Sequence, residues 1–457
     1  MTRIFSGMKF QERRKTDHAT RVLFVFFLAV IVAGTILLML PVSSRDGAGC
    51  GLMTALFTAT SATCVTGLTP VDTYTQWSGF GQGVLLCLIQ IGGLGYMAFV
   101  SIAFFLLRRK IGLRERLIIQ QAMALNELHG VAKLVKLMVF GTFLVEGLGA
   151  VILTARFSLE FPFGRALWMG VFHSVSAYCN AGFDILGFME PGTSIMHYAT
   201  DPVVNLTLGA LIVIGGLGFF VWNDILMHRR FQKFRVHTKL LLVITAILIF
   251  GGAVILAALE WNNPETLGTM TVGEKLLAAL FQSVTTRTAG FAAIDQGGMT
   301  DSGIFVSTVL MFVGGSSGST AGGIKTGSVG ILLLSAISVL RNRREVVAFG
   351  RRISQDQLNS ALSIALLVVL LGFGGAVVIS ATNDVPLWDS LYESVSAICT
   401  VGLSTGITAG LNTGSKILLI VYMFFGRVGI MTISFAFMTG SPPDNAIRRP
   451  ETRVLIG

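Results

Sequence analysis

The chain is poor in charge and in the residues that most enzymes use. Only 13% of its 457 residues are charged, and it has six His and five Cys. The cysteines show no CxxC or CxxH spacing, so the sequence offers neither a metal-binding motif nor a disulfide framework. It also has no cluster of His, Asp or Cys suited to catalysis. These absences argue against an enzyme.

Nucleotide-binding fingerprints are missing as well. The stretch GGSSGSTAGGIKTG at 314–327 resembles a phosphate-binding loop, but Ile324 separates Gly323 from Lys325. In GxxxxGK[ST] the Gly and the Lys are adjacent. We therefore expect no organic cofactor in this chain. Energy and regulation must come from ion gradients or from another protein.

Long apolar runs dominate what is present. The chain is 53% apolar, and its mean hydropathy is +0.74, far from soluble averages. A run of about 17 to 20 residues can cross roughly 30 Å of hydrocarbon as a helix. Eight such runs occur, the sixth of them interrupted: 22–40, 80–107, 137–153, 203–225, 240–259, 304–340, 362–379 and 417–438. The sequence predicts an all-α integral membrane protein with eight full spans.

The basic residues indicate an orientation. They cluster in five segments, which are 1–21, 108–136, 229–239, 341–352 and the tail after 440. Because short cytoplasmic loops retain Lys and Arg, both termini are expected in the cytoplasm. The net charge of +10 then reflects topology, so no nucleic-acid partner is indicated. We expect a multi-pass protein of the plasma membrane, surrounded by lipid.

The sequence contains a fourfold repeat. Short Ser/Thr-rich pieces ending in Gly recur as ATSATCVTGL (59–68), VSAYCNAGF (175–183), VTTRTAGF (284–291) and VSAICTVGL (395–403). After each comes an apolar run with aligned glycines, in QIGGLGYM, VIGGLGFF, FVGGSSGS and FFGRVGIM. Each copy reads as span, half-helix with Gly turn, and span, written M1-P-M2. The predicted units are 1–110, 111–230, 231–345 and 346–440, followed by a cytoplasmic tail at 441–457.

The Gly pieces are expected to line a pore. Units with an even number of crossings all point the same way, so four of them can surround an axis along the membrane normal. Irregular backbone at membrane depth is tolerated only inside protein or beside a watery cavity. The half-helix ends carry partial negative charge, and rings of backbone carbonyls can replace an ion's hydration shell. Because none of the pieces holds a carboxylate, a monovalent cation is favoured over a divalent one.

The candidate selectivity filter takes four residues from each unit. They are Cys64, Val65, Thr66 and Gly67; Cys179, Asn180, Ala181 and Gly182; Arg287, Thr288, Ala289 and Gly290; and Cys399, Thr400, Val401 and Gly402. Their backbone carbonyls would bind K⁺. Side chains of Thr66, Asn180, Thr288 and Thr400 are candidates for further oxygens.

These motifs resemble those of potassium uptake proteins of the Trk, Ktr and HKT type. The match covers nearly the whole chain, and with no extra helix pair before the first repeat it is most similar to the Ktr membrane subunit. All four filter positions are Gly, a pattern that goes with potassium in that family. Each piece has one Gly, unlike the TVGYG of potassium channels, which indicates fewer ion layers. The resemblance implies potassium uptake, with sodium symport left open, a homodimer, and a cytoplasmic RCK-type nucleotide-binding ring.

Residues 314–327 predict a gate in the third unit. Six Gly among fourteen residues favour an unwound loop, because each Gly inside a helix costs about 1 kcal/mol relative to Ala. Arg427 stands where the other spans have a second Gly, and burying it costs about 2.5 to 3.5 kcal/mol. We expect it to limit cation passage or to hold the loop's carbonyls, unless it merely pairs with a helix end. The candidate gate residues are Gly314, Gly315, Ser316, Ser317, Gly318, Ser319, Thr320, Ala321, Gly322, Gly323, Lys325 and Arg427.

Three other residues invite interpretation. His173 lies in the second half-helix, where packing is a commoner role than ion binding. Arg287 is expected to tie down the third Gly piece, in the place of Thr63 or Tyr178 in the other units. Glu146 lies within a predicted span and has no assigned role.

The alternative function is secondary transport of an organic solute. Such proteins have broken helices and a few charged groups at the membrane midplane. In this chain only Arg427, Glu146 and Lys325 would be available for that task.

Overall fold

A computed structural model describes residues 24–106, 131–343 and 345–429 of the chain, with side chains described outside 96–137. Most of the first two predicted cytoplasmic segments and the tail at 441–457 lie outside the described residues. The described part is helical except for one small hairpin. Its strands, β1 (Val347–Ala348) and β2 (Arg351–Arg352), pair antiparallel.

In chain order, the helices fall into four consecutive groups. The first two units contain α1 (Phe24–Met39), α2 (Leu52–Cys64), α3 (Gly79–Leu106), α4 (Val131–Phe157), α5 (Phe163–Tyr178), α6 (Pro202–Leu217) and α7 (Phe219–His228). The last two contain α8 (Val236–Glu260), α9 (Val272–Thr285), α10 (Asp301–Met311), α11 (Thr326–Leu340), α12 (Gln355–Asn383), α13 (Leu387–Ile398) and α14 (Thr413–Val428). One-turn helices occur at Thr73–Gln76, Pro41–Ser43, Met196–Tyr198, Phe231–Lys233 and Ile407–Gly410. We call α1–α3, α4–α7, α8–α11 and α12–α14 units one to four.

The second spans predicted at 80–107 and 203–225 are broken helices in the structure. The helix breaks at Gly95 inside α3 and at Gly218 between α6 and α7, and α14 ends just before Gly429; φ at these glycines is 73°, 82° and 94°. Side chains rarely adopt such positive φ, whereas Gly does so readily. The last Gly of the motif in units one, two and four therefore lies at a helix break or a helix end, which its apolar surroundings did not indicate.

The long helices suit a membrane. Among the described residues, three helices are long and apolar enough to cross one, and the pair α6 and α7, bent by 92°, would be a fourth. Their outward faces are apolar: Phe140 is 68% exposed and Val254 69%. The short helices lie inside with polar side chains, such as Ser394 and Ser396, which are fully buried. This distribution places apolar groups towards lipid and polar groups towards the centre.

Local signals fix where several helices begin. The Asp201 carboxylate accepts hydrogen bonds from the Val203 and Val204 amides, at 2.8 and 3.0 Å, and Pro202 takes the first position of α6. Thr271 and Glu274 form a capping box at the start of α9. Such caps satisfy amides that have no partner within the helix.

Candidate functional site

Each short helix is followed by one residue in the left-handed conformation, two positions before the Gly of its filter piece. These residues are Val65, Asn180, Thr288 and Thr400, with φ of 56°, 59°, 64° and 52°. A left-handed residue that is not Gly costs roughly 1 to 2 kcal/mol. It ends a helix and frees the carbonyls that follow. All four units make the same turn, which in unit one uses Val65 rather than the neighbouring Thr66.

A backbone hydrogen bond closes each turn. In unit one the Thr66 amide donates to the Ser61 carbonyl at 2.8 Å, and units two and four repeat this bond with the same length. In unit three the Ala289 amide donates to the Thr285 carbonyl at 3.0 Å. This donor and acceptor are one residue closer in the sequence than those of the other units. The helix end of unit three is therefore one residue shorter.

The shorter turn changes the place of Arg287. Counted back from the Gly, it corresponds to Cys64, Cys179 and Cys399, not to Thr63 or Tyr178. Its side chain is 7% exposed, and Nη2 donates to the hydroxyls of Thr245 at 3.5 Å and Thr326 at 3.3 Å. It thus joins the Gly piece of unit three to α8 and to the start of α11.

The four glycines meet and form a closed ring. A Cβ on Gly67 would lie 2.7 Å from the Ala181 carbonyl oxygen of unit two. The corresponding distance is 2.8 Å from Gly182 to the Ala289 oxygen and 2.7 Å from Gly290 to the Val401 oxygen. Gly402 closes the ring against the Thr66 oxygen of unit one. A backbone oxygen of units two, three and four therefore lies against the glycine of the preceding unit. The oxygen of unit one lies against the glycine of unit four, which closes the ring.

Buried polar atoms without partners occur in the Gly pieces and in the short helix α2. Hydroxyls of Thr60, Thr63, Thr66, Thr288 and Thr400, and the amide nitrogen of Asn180, are buried and have no hydrogen-bond partner in the described structure. In a dry core each such group would cost about 1 to 3 kcal/mol. Beside water or a cation the oxygens are satisfied. The Gly pieces therefore carry buried side-chain oxygens that suit water or a cation.

A cavity of about 270 Å³ lies against all four glycines. Asp72 and Asp184 also line it. The Asp72 carboxylate accepts from the amides of Thr75 at 2.8 Å and Gly192 at 3.2 Å, and Asp184 accepts from the Leu186 amide at 3.1 Å. Sequence reasoning gave neither carboxylate a role, although both follow a ring glycine within five residues.

Burial sets the protonation of one of these acids. It raises the pKa of Asp184, in the loop outside the helices, to about 6, and the nearby charge of Asp72 adds to the rise. A carboxyl of this kind changes charge within a mildly acidic range. The cavity is therefore more negative at neutral pH than at pH 5.

The chain between α10 and α11 lies against the other side of the Gly pieces. Gly314 lies close to Thr288, and Gly322 lies against Thr400 and the Cys399 carbonyl. The Thr320 hydroxyl lies 3.2 Å from the Tyr178 carbonyl and 3.0 Å from the Asn180 side-chain oxygen. This loop therefore touches the Gly pieces of units two, three and four.

The loop is also bonded to the second helix of unit two. The Ser316 amide donates to the Gly216 carbonyl at 2.9 Å, and the Phe219 amide donates to the Gly318 carbonyl at 3.2 Å. Phe219 starts α7, directly after the break at Gly218. Lys325 folds back and donates to the Ala321 carbonyl at 2.7 Å. The loop and the broken helix thus satisfy each other's backbone hydrogen-bonding groups.

Arg427 binds backbone carbonyls from two other units. Its guanidinium donates to Thr320 in the loop, to Gly92, and to Gly93 at 3.3 Å. Among the described residues it forms no ion pair. The geometry fits two of the roles expected for Arg427: it holds one loop carbonyl, and through Gly92 and Gly93 it also pairs with the helical turn before the break at Gly95.

Glu146 lies behind the Gly piece of unit two. Its two carboxylate oxygens accept from Gln90 Nε2, at 3.1 and 3.2 Å, and the Cys179 thiol lies 3.8 Å away. Glu146 is therefore hydrogen-bonded to α3 and lies outside the ring itself.

His173 is buried in an aromatic cluster. Its ring lies beside Phe157, Phe172 and Phe291, and Nδ1 lies 2.8 Å from the Met169 carbonyl. This is a packing environment, as the sequence indicated for this residue.

Comparisons with known proteins agree on one family. The family model TrkH, described as a cation transport protein, matches residues 3–449. The chain is 39% identical over 437 residues to the Ktr system potassium uptake protein B of Bacillus subtilis, covering 96% of both chains. It is 37% identical over 455 residues to the potassium/sodium uptake protein NtpJ of Enterococcus hirae, covering 98% of this chain and 99% of that one. In fold it is similar to the crystal structure of the potassium transporter TrkH from Vibrio parahaemolyticus, with a TM-score of 0.72 and 18% identity over 93% of this chain and 85% of the other.

Proposed function

This chain belongs to the TrkH family of cation transport proteins, and on that premise we propose that it takes up potassium ions through the glycine ring. The observation that carries the proposal is the closed ring of four glycines, each against a backbone oxygen of the next unit. Backbone oxygens at such a constriction can replace the water around a monovalent cation. The names of the relatives, which include potassium, support the choice of ion.

The filter in this proposal is the set of sixteen residues predicted from the sequence. Gly67, Gly182, Gly290 and Gly402 form its narrowest layer, and the residues before them supply the oxygens. The cavity lined by Asp72 and Asp184 is the outer vestibule, where a hydrated cation collects before it enters the ring. Four M1-P-M2 units with the predicted boundaries surround this path, with both termini in the cytoplasm.

The gate in this proposal is the loop from Gly314 to Lys325. It lies under three of the four Gly pieces, where it would block a cation that has passed the ring. Arg427 holds it there through the Thr320 carbonyl and places a positive charge below the ring. Opening requires that the loop leave this position.

Regulation and assembly follow from the family. Relatives are named as components of a Ktr system, which supports a partner subunit for this chain. We propose a homodimer that binds a cytoplasmic RCK-type nucleotide-binding ring through its basic cytoplasmic loops. One relative is named a potassium/sodium uptake protein, so sodium is a candidate second ion.

Flux through proteoliposomes tests the proposal. The purified chain should take up potassium or rubidium and leave an organic cation such as choline outside. Uptake of an organic solute without potassium flux would instead support the secondary transporter. Deleting residues 315–325 should raise potassium flux, because the path below the ring is then open. A well-folded deletion variant with unchanged flux would refute the gate.

A further inference from the structure

One side chain of the loop makes a polar contact with the filter. The Thr320 hydroxyl lies 3.0 Å from Oδ1 of Asn180 and 3.2 Å from the Tyr178 carbonyl oxygen. Both partners belong to the Gly piece of unit two. Thr320 is 1% exposed, so water does not compete for its one hydroxyl proton, which these two acceptor oxygens share.

The other three units have no equivalent bond among the residues that the structure describes. Asn180 occupies the left-handed position, which in the other units is taken by Val65, Thr288 and Thr400. Valine cannot form such a bond. The hydroxyls of Thr288 and Thr400 are buried without a hydrogen-bond partner in the described structure. Among the four residues at the left-handed position, only Asn180 is hydrogen-bonded to the loop through its side chain in the part of the chain that the structure describes.

Thr320 itself is fixed from two sides. Its amide lies 3.4 Å from the Gly215 carbonyl in α6, and its carbonyl accepts from Arg427 of unit four. A displacement of the loop would therefore break the bond to Asn180 together with these two contacts.

The position of Asn180 bears directly on the ring. The next residue is Ala181, whose carbonyl oxygen is the one that abuts Gly67 of unit one. A change in the backbone at Asn180 moves that oxygen. It is one of only four carbonyl oxygens that lie against the ring glycines. Because discrimination between K⁺ and Na⁺ depends on the number and placement of such oxygens, one displaced oxygen alters it.

We propose that the Thr320–Asn180 contact couples the loop to ion selectivity, so that the filter discriminates best while the loop holds Asn180. This inference rests on the proposed function, in which the ring is the filter and the loop is the gate. Asn180 and Thr320 are positioning residues in this scheme, since they act through the Ala181 oxygen. Removal of the contact should lower the K⁺/Na⁺ permeability ratio by roughly threefold to tenfold, the effect of one buried hydrogen bond.

Substitutions at both partners test this coupling in the full chain. Thr320→Val keeps the shape but removes the hydroxyl, and Asn180→Gly removes the amide while accepting the left-handed backbone. Each should lower the K⁺/Na⁺ ratio measured in proteoliposomes, and the double variant should lower it no further. Thr320→Ser retains the hydroxyl and should behave as wild type.

A matched control is available at Thr308→Val, because that hydroxyl bonds the Ile304 carbonyl of its own helix, at 2.7 Å. It should leave the ratio unchanged. If Thr320→Val and Asn180→Gly keep the wild-type ratio while the 315–325 deletion raises flux, the coupling is refuted and the gate stands. Additive effects of the two substitutions would also refute it. If the deletion leaves flux unchanged, the gate itself fails and the coupling fails with it.

Discussion

At the scale of the residue, the ring requires glycine for two independent reasons. Gly290 has φ of 80°, which strains any residue with a side chain. A Cβ there would also lie 2.7 Å from the Val401 carbonyl oxygen, closer than real Cβ atoms approach backbone. The same pair of constraints applies at Gly67, Gly182 and Gly402. A side chain at any of these positions must displace an oxygen of the neighbouring unit.

Gly290→Ser should therefore reduce potassium flux at least tenfold and reduce the K⁺/Na⁺ ratio. The serine Cβ displaces the Val401 carbonyl oxygen from the ring. The serine hydroxyl also adds an oxygen at a different distance from the pore axis. Rubidium uptake into proteoliposomes, with and without sodium, measures both quantities. Gly273→Ser is the control, since Gly273 is exposed at the start of α9 and a Cβ added there would meet no atom within 4 Å. Equal flux in the two variants would contradict the ring's role.

Asp184 predicts a pH dependence of uptake. Its pKa is raised to about 6, so the carboxyl is charged above that pH and becomes neutral as the pH falls through it. A neutral Asp184 attracts fewer cations to the vestibule. Uptake at low potassium should fall roughly twofold between pH 7 and pH 5, since at pH 5 only about a tenth of such groups stay ionised.

Asp184→Asn should show the low rate at both pH values. Asp384→Asn serves as the control, because Asp384 is exposed and its left-handed backbone, with φ of 54°, suits Asn equally well. A wild-type pH profile in Asp184→Asn would show that another group is responsible.

At the scale of the element, glycines interrupt the second helices of units one and two. Gly218 separates α6 from α7 with φ of 82° and a bend of 92°. The first residue after the break donates its amide to the Gly318 carbonyl of the loop. The broken end therefore supplies a donor that a continuous helix would have used internally. This hydrogen bond stabilises both the bend in unit two and the position of the loop in unit three.

Gly218→Ala should loosen the loop. The added Cβ would strain the backbone and would lie 3.0 Å from the Ser317 carbonyl oxygen. We expect potassium flux to rise severalfold, together with a small loss of thermal stability. Gly251→Ala, in the middle of α8 with open space around it, should instead leave flux unchanged. Reduced flux in a well-folded Gly218→Ala would argue that the loop does not block the path.

At the scale of the whole molecule, contacts between units replace a single core. Each ring glycine lies against the next unit, and α2 of unit one contacts α14 of unit four, which closes the circle. Arg427 adds bonds from unit four to Gly92 and Gly93 in unit one and to Thr320 in unit three. Loss of this side chain leaves buried carbonyls unsatisfied in two other units.

Arg427→Met should therefore change stability and transport together. Each buried carbonyl left without a donor costs about 1 to 3 kcal/mol, so the melting temperature in detergent should fall by several degrees. Potassium flux should rise, because the loop loses one of its anchors and the path loses a positive charge. Arg341→Met, on the exposed end of the α11 segment, controls for loss of an arginine. Unchanged flux and melting temperature in Arg427→Met would show that Arg427 contributes to neither gating nor stability.

The sequence by itself determined the class of this protein and its family. Hydropathy and helix length are local properties, so a helical membrane protein could be predicted before any contact was known. The Gly pieces and GGLG-type motifs are linear patterns, and the family that they indicated was confirmed by the TrkH match over residues 3–449. The breaks at Gly95 and Gly218 did not follow from the sequence, because a Gly in an apolar run does not reveal the sign of its φ.

Only the tertiary structure decided how the pieces meet. The order of the ring, the convergence of Asp72 with Asp184, and the bond from Thr320 to Asn180 join residues more than a hundred positions apart. The bonds from Arg287 to Thr245 and Thr326 also appeared only in the structure. Such contacts depend on how segments far apart in the chain pack against one another. A single sequence records the residues that take part in that packing but not their distances.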